Sequence, residues 1–144
     1  MELNFKSYVV SDDKQRIQVQ VVVDYLATSY WASKRPAAKI MKSIENSICY
    51  GVYELVNNQE KMIAFARIIT DGATTYYLCD VFVLEAYRGQ GISKKLMETI
   101  TNAPEFEGMT GLLGTKDAHG LYEQYGFERD QARFMRRPVQ INRV

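Results

Sequence analysis

Cysteine, histidine, proline and tryptophan are all scarce in this 144-residue chain, with two, one, three and one copies respectively. The two cysteines, Cys49 and Cys79, lack metal-ligand spacing and are too few for a disulfide framework. Reduced thiols in a cytoplasmic protein are the simplest expectation, and no metal is expected. With little proline, and no repeat, low-complexity block or linker, nothing divides the chain, so one domain over residues 1–144 is expected. Long apolar runs are missing as well. Nowhere do about 18 consecutive apolar residues occur, and the opening MELNFKSYVV carries Glu2 and Lys6, so neither a membrane span nor an export signal is expected. An excess of one charge sign is also absent. Lys plus Arg number 18 against 17 Asp plus Glu, a net charge of +1, which gives no electrostatic reason to expect a nucleic-acid or membrane partner. The one local basic excess, the tail RFMRRPVQINRV, reads as a solvated terminal strand.

What the chain does have is apolar residues, 47% of the total, enough for one real core. FKSYVV reads as a first strand, followed by a turn or helix start at SDDK. In QVQVVVDYLATSYWA the first residues partly alternate, while Val22, Tyr25, Leu26 and Ser29 fall at helical spacing, so the second half reads as helix. Pro36 suits the first turn of another helix through Ile40, Met41 and Ile44. ICYGVYELV, KMIAFARIIT and TTYYLCDVFV, separated by the turn signals Asn57-Asn58 and Asp71-Gly72, form an antiparallel meander. Ile92, Leu96 and Ile100 then mark one apolar helix face. MTGLLGT reads as a short buried strand, DAHGLYEQY as a helix stopped by Gly126, and FERDQARFMRRPV as closing strands. This order predicts an α/β (α+β) fold, a mixed and mostly antiparallel sheet of about six to seven strands flanked by about four helices.

Between the apolar run Val81-Phe82-Val83 and the helix KKLMETI stands YRGQGIS. A glycine-rich turn from strand to helix aims unpaired backbone N–H groups at one point, where the helix dipole also favours negative charge. Gly89 and Gly91 would let an anion approach the main chain. A dinucleotide fingerprint needs glycine where Lys94 stands, and a Walker loop needs a Gly-Lys pair that never occurs. A tight turn that holds no ligand stays open beside the anion cradle.

The wider stretch VFVLEAYRGQGISKKLM resembles the acetyl-CoA loop of the GNAT N-acetyltransferase superfamily, whose pattern is Gln or Arg, two residues, Gly, one residue, then Gly or Ala. Arg88 and Gly91 match, and Ser93 takes the final small position. DAHGLYEQYGF is similar to the family's later Ala…Leu-Tyr-Glu-Lys-x-Gly-Phe segment, and the order of elements matches over nearly the whole chain. Thr115 departs from the pattern, since many members carry a cofactor-contacting Asn there.

The resemblance implies an enzyme that transfers acetyl directly from acetyl-CoA, as co-substrate, to a primary amine of a small molecule or protein. It implies cofactor contacts at Val81, Phe82, Val83, Arg88, Gly89, Gln90, Gly91, Ile92, Ser93 and Thr115. Lys94 or Lys95 would add positive charge, and the strand Val81–Val83 would be bulged and splayed so that its main chain can pair with the pantetheine arm. Tyr122 stands at the family's general-acid position and would protonate the departing thiolate. Asp80 is a candidate base or proton relay, His119 a further catalytic candidate, and Cys79 with His119 would be needed for an acyl-enzyme route. On the acceptor side Tyr30 and Trp31 could form an aromatic wall or anchor the core, Arg35 could bind a carboxylate or phosphate, and Arg67 needs a partner in its apolar strand. A non-catalytic acyl-CoA-binding module or sensor is the rival reading. Acceptor identity, acyl length and oligomeric state, a homodimer included, are open.

Overall fold

Asn57 and Asn58 both take left-handed backbone angles, φ 52° and 63°, the pair that a two-residue hairpin loop of the right twist requires. They join β3 (Ile48–Val56) to β4 (Gln59–Thr70), and β4 turns into β5 (Thr75–Val83) through Asp71 and Gly72. The Asp71 carboxylate closes that loop by accepting from the Ala73 and Thr74 amides at 2.9 and 2.8 Å and from the Thr74 hydroxyl at 2.6 Å. These bonds hold its carboxyl well below the usual carboxylate range. The computed structural model describes residues 1–140.

The sheet has six strands in the order β1-β2-β3-β4-β5-β6. FKSYVV is not one strand but the turn of a hairpin: β1 (Glu2–Phe5) ends at Phe5, Lys6 bends the chain at φ 54°, and β2 (Tyr8–Ser11) returns antiparallel. Among the described residues only β5 and β6 (Thr110–Leu113) run parallel, which requires a crossover. That crossover is α3 (Ile92–Thr101). Between β2 and β3 lie α1 (Val19–Leu26) and α2 (Ala37–Glu45), and α4 (His119–Glu123) follows β6; three short 3-10 turns complete the set. The helix in QVQVVV therefore starts at Val19, earlier than its alternation suggests. No helix among the described residues is long and apolar enough to cross a membrane.

Each face of the sheet has its own core. On one side Ile92, Leu96, Met97 and Ile100 of α3 pack against Val10, Val52, Ala64, Ile68 and Leu78. On the other, Val22 and Leu26 of α1 and Ile40 and Ile44 of α2 pack against Met62, Phe65 and Phe82. The four α3 residues are fully or almost fully buried, each contributing roughly 1.5–3 kcal/mol of hydrophobic stabilisation. Leu96→Ala would cost about 2–5 kcal/mol.

Strict alternation in TYYLCDVFV would put Leu78, Asp80 and Phe82 on one face, yet Leu78 packs toward α3 and Phe82 toward α1. The cause is a bulge. Phe65 pairs with Phe82 and Arg67 with Cys79, so β5 spends one more residue than β4 over this interval, and Asp80 absorbs it at φ 52°. One extra residue turns the rest of the strand over.

The closing strands expected from FERDQARFMRRPV do not form. Residues 128–140 are turns and irregular chain, exposed throughout. Their charges pair locally instead, Arg129 with Glu123 and Arg133 with Asp130, and no alternating apolar face is available to bury. The last four residues of the basic tail, 141–144, lie outside the described residues.

Candidate active site

Gly89 and Gly91 adopt φ 81° and 80°, and Gly91 is the left-handed residue immediately before α3. A Cβ at Gly89 would meet nothing within 4 Å, so what glycine supplies here is the backbone angle rather than space. From Gly89 to Lys94, six consecutive backbone N–H groups have no acceptor among the described residues; the pairing resumes where the Lys95 amide reaches Gly91 O at 3.0 Å. Such a run at the head of a ten-residue helix is an anion site by geometry and by dipole. Gln90 fixes the turn to the first hairpin, its Oε1 accepting from the Tyr8 hydroxyl at 2.8 Å and its C=O from Lys6 Nζ at 2.6 Å.

β6 pairs with β5 only from Thr75 to Leu78. Beyond that point β5 has no partner on this side among the described residues, so Val81–Val83 present main chain to an open groove, as a bulged and splayed strand would. Arg88 turns back onto this strand, with Nε on Val83 O at 3.2 Å and Nη2 on the Tyr25 hydroxyl at 2.9 Å. The Phe82 side chain points away, stacked on Tyr25 with centroids 4.1 Å apart.

Tyr122 on α4 lines the same groove. Burial, then the neighbouring Tyr30 and Asp117, push its phenol up to about 12, so it keeps its proton throughout the neutral range. The short α4 is started by Thr115, whose Oγ1 accepts from the Ala118 amide at 3.1 Å.

Asp80, its side chain only 2% exposed, is the hub of the opposite wall. Its Oδ1 accepts from Trp31 Nε1 at 2.8 Å, and its Oδ2 from Arg35 Nη1 and Arg67 Nε, each at 2.9 Å. Arg67 also donates to Ser47 Oγ at 3.1 Å. The charge inside β4 thus has its partner. Tyr30 meets Trp31 edge to face at 5.1 Å and accepts at its hydroxyl from the Lys116 amide at 3.1 Å. Both aromatics are exposed to the groove, 56% and 38%, rather than anchoring the core.

The glycine turn, the end of β5, Tyr122 and the Asp80 cluster line one open groove of about 1280 Å³ between the splayed ends of β5 and β6. An acetyltransferase (GNAT) domain profile matches residues 45–129. The chain belongs to the GNAT acetyltransferase family. A protein from Xanthomonas campestris pv. campestris assigned to the GNAT family has a crystal structure that superposes with a TM-score of 0.84 at 36% identity, covering 94% of this chain and 96% of that one. A Gibberella zeae protein assigned as an acetyltransferase is 28% identical over 112 residues, 67% of this chain and 63% of its own length. The histone acetyltransferase TAP1 of Glycine max is 28% identical over 107 residues, 67% of this chain and 46% of its own length. The chain thus spans less than two-thirds of these two relatives.

Within the GNAT frame, the groove collects most of the residues singled out from the sequence: Tyr30, Trp31, Arg35, Arg67, Asp80, Val81 to Val83, Arg88, Gly89, Gly91 to Ser93, Thr115 and Tyr122. Gln90 and His119 do not line it. Burial pushes the Cys79 thiol up to about 11, which disfavours the thiolate that an acyl-enzyme route would use. Sequence reading missed Lys116, Phe134 and Arg136, which also line the groove. The last two arrive from irregular chain, where no periodicity could announce them.

Proposed function

We propose that this chain is a cytoplasmic N-acetyltransferase, one domain that moves acetyl from acetyl-CoA directly to a primary amine. The observation that carries the reading is the row of six N–H groups from Gly89 to Lys94 without an acceptor among the described residues, in a turn whose Gly89, Gly91, Ile92 and Ser93 line the same groove as Tyr122. Those N–H groups would hold the pyrophosphate of coenzyme A, and Val81–Val83 would pair through their main chain with its pantetheine arm. A backbone N–H of the same strand would stabilise the oxygen anion formed as the amine attacks the thioester carbonyl. Tyr122, protonated up to about pH 12, would donate to the sulfur as its bond to the acetyl carbon breaks.

Asp80 has three donors on its two oxygens. We assign it to holding Trp31, Arg35 and Arg67, while the amine proton leaves through water in the open groove. His119 does not line the groove and is assigned no part in the transfer. Thr115 keeps α4 in place and offers its hydroxyl proton to the donor.

The test is release of free thiol from acetyl-CoA with a panel of amines. Amine-dependent release that falls about 10²–10⁴-fold in Tyr122→Phe, with coenzyme A binding retained, supports the reading. Tight coenzyme A binding without turnover on any amine would instead make the chain the acyl-CoA-binding module.

A further inference from the structure

The acceptor wall holds more positive charge than its own fold requires. Asp80 is already neutralised by Arg67, a buried guanidinium whose side chain is 10% exposed and which also bonds Ser47. Arg35 brings a second guanidinium to the same Oδ2 oxygen, from the groove side, with its side chain 23% exposed. Only its Nη1 is used; Nε and Nη2 donate to no atom among the described residues. Around the groove five cationic side chains, Arg35, Arg67, Arg88, Lys116 and Arg136, face two carboxylates, Asp80 and Asp117. Arg88 belongs to the donor turn, but Arg35 and Arg67 lie on the other side of the β5 bulge, among Trp31 and Tyr30. Two guanidiniums sharing the one carboxylate of Asp80 leave a positive charge in excess in a partly desolvated wall, and a guanidinium fork with free donors matches the oxygens of a carboxylate or phosphate.

From this we infer that the acceptor carries an oxyanion, a carboxylate or a phosphate, beside its reactive amine. Arg35 binds that group through its free edge. Asp80 and Trp31 fix the fork so that little side-chain freedom is lost on binding, and Tyr30 and Trp31 flank the acceptor's carbon skeleton. The same field disfavours polyamines and lysine-rich tails. The inference rests on the acetyl-transfer reading for its substrate, though not for its binding site.

The test compares amines matched except for the anion: phosphoethanolamine with ethanolamine, β-alanine with propylamine, and spermidine as a polycation. With acetyl-CoA saturating, the anionic member of at least one pair should show a kcat/KM about tenfold above its neutral partner, as a charge-assisted bond to Arg35 requires. Spermidine should fall below both, and which pair responds tells phosphate from carboxylate. In Arg35→Gln the preference should disappear through KM for the anionic amine, with KM for acetyl-CoA unchanged. The same amines are titrated calorimetrically into the wild type loaded with coenzyme A, which asks nothing of turnover or of a variant's folding. Anion-dependent binding that Arg35→Gln removes, without turnover of any amine, would uphold the anion site and defeat the transfer reading. Equal or reversed preference in both assays on the wild type, or a preference that survives Arg35→Gln, overturns the inference.

Discussion

The two walls of the groove are built from different material. The proposed donor wall is main chain: six amide groups, two left-handed glycines and a strand stripped of its neighbour among the described residues. The proposed acceptor wall is side chain, a carboxylate gripped by an indole and two guanidiniums. Main-chain sites depend on local angles and tolerate most side chains, whereas a side-chain cluster fails as a unit when one member is lost. The donor wall should therefore break by changing φ, and the acceptor wall by truncating a side chain.

Asp80→Ala should have the largest effect, because it leaves two guanidiniums unpaired in a half-buried wall; a loss of about 3–5 kcal/mol is expected from chemical denaturation. Gly91→Val should instead leave most of the stability intact. Forcing a β-branched residue to φ near 80° costs roughly 1–3 kcal/mol, read as at least tenfold weaker coenzyme A binding by calorimetry.

Alkaline stability should follow the buried groups on both walls. Cys79 is raised from an ordinary 9.0 to about 11 and Tyr122 from 10.0 to about 12, both mainly by burial, and Cys49 behaves as Cys79 does. The folded state keeps these protons longer than the unfolded chain, so the unfolded state binds fewer of them as pH rises. The denaturation midpoint should be flat between about pH 6 and 9 and should fall between roughly pH 9 and 12; a rise there would contradict the burial of these groups. The smallest change should come from Lys94→Ala, which removes a side chain and leaves its amide. Coenzyme A affinity should drop by less than about fivefold, and a loss matching that of Gly91→Val would show that charge, not backbone, holds the donor.

The same contrast explains what was legible in the sequence. The donor wall is contiguous, so YRGQGIS and the VFV before it could be read in place, as could the hairpin loops at Asn57-Asn58 and Asp71-Gly72. The acceptor wall joins Asp80 to Trp31 and Arg35, 49 and 45 residues earlier in the chain. Composition and periodicity name each of those residues and are silent on their meeting. The bulge escaped because one inserted residue leaves TYYLCDVFV looking like perfect alternation. The closing strands were misread because β-like composition in ARFM has no partner edge that it buries. Arg136 and Phe134 reach the groove from a segment whose path only tertiary contacts define.

The left-handed residue at 80 also sets a reading frame. Upstream of it, even-numbered positions of β5 look toward α3; downstream, even-numbered Phe82 looks toward α1. If the bulge were ironed flat with every side chain kept, Phe82 would move from its pairing with Phe65 to the position opposite Ala64, on the α3 face, and lose its stack with Tyr25. Which side chains face each core, and with them the shape of this groove, therefore depend on where one extra residue is held.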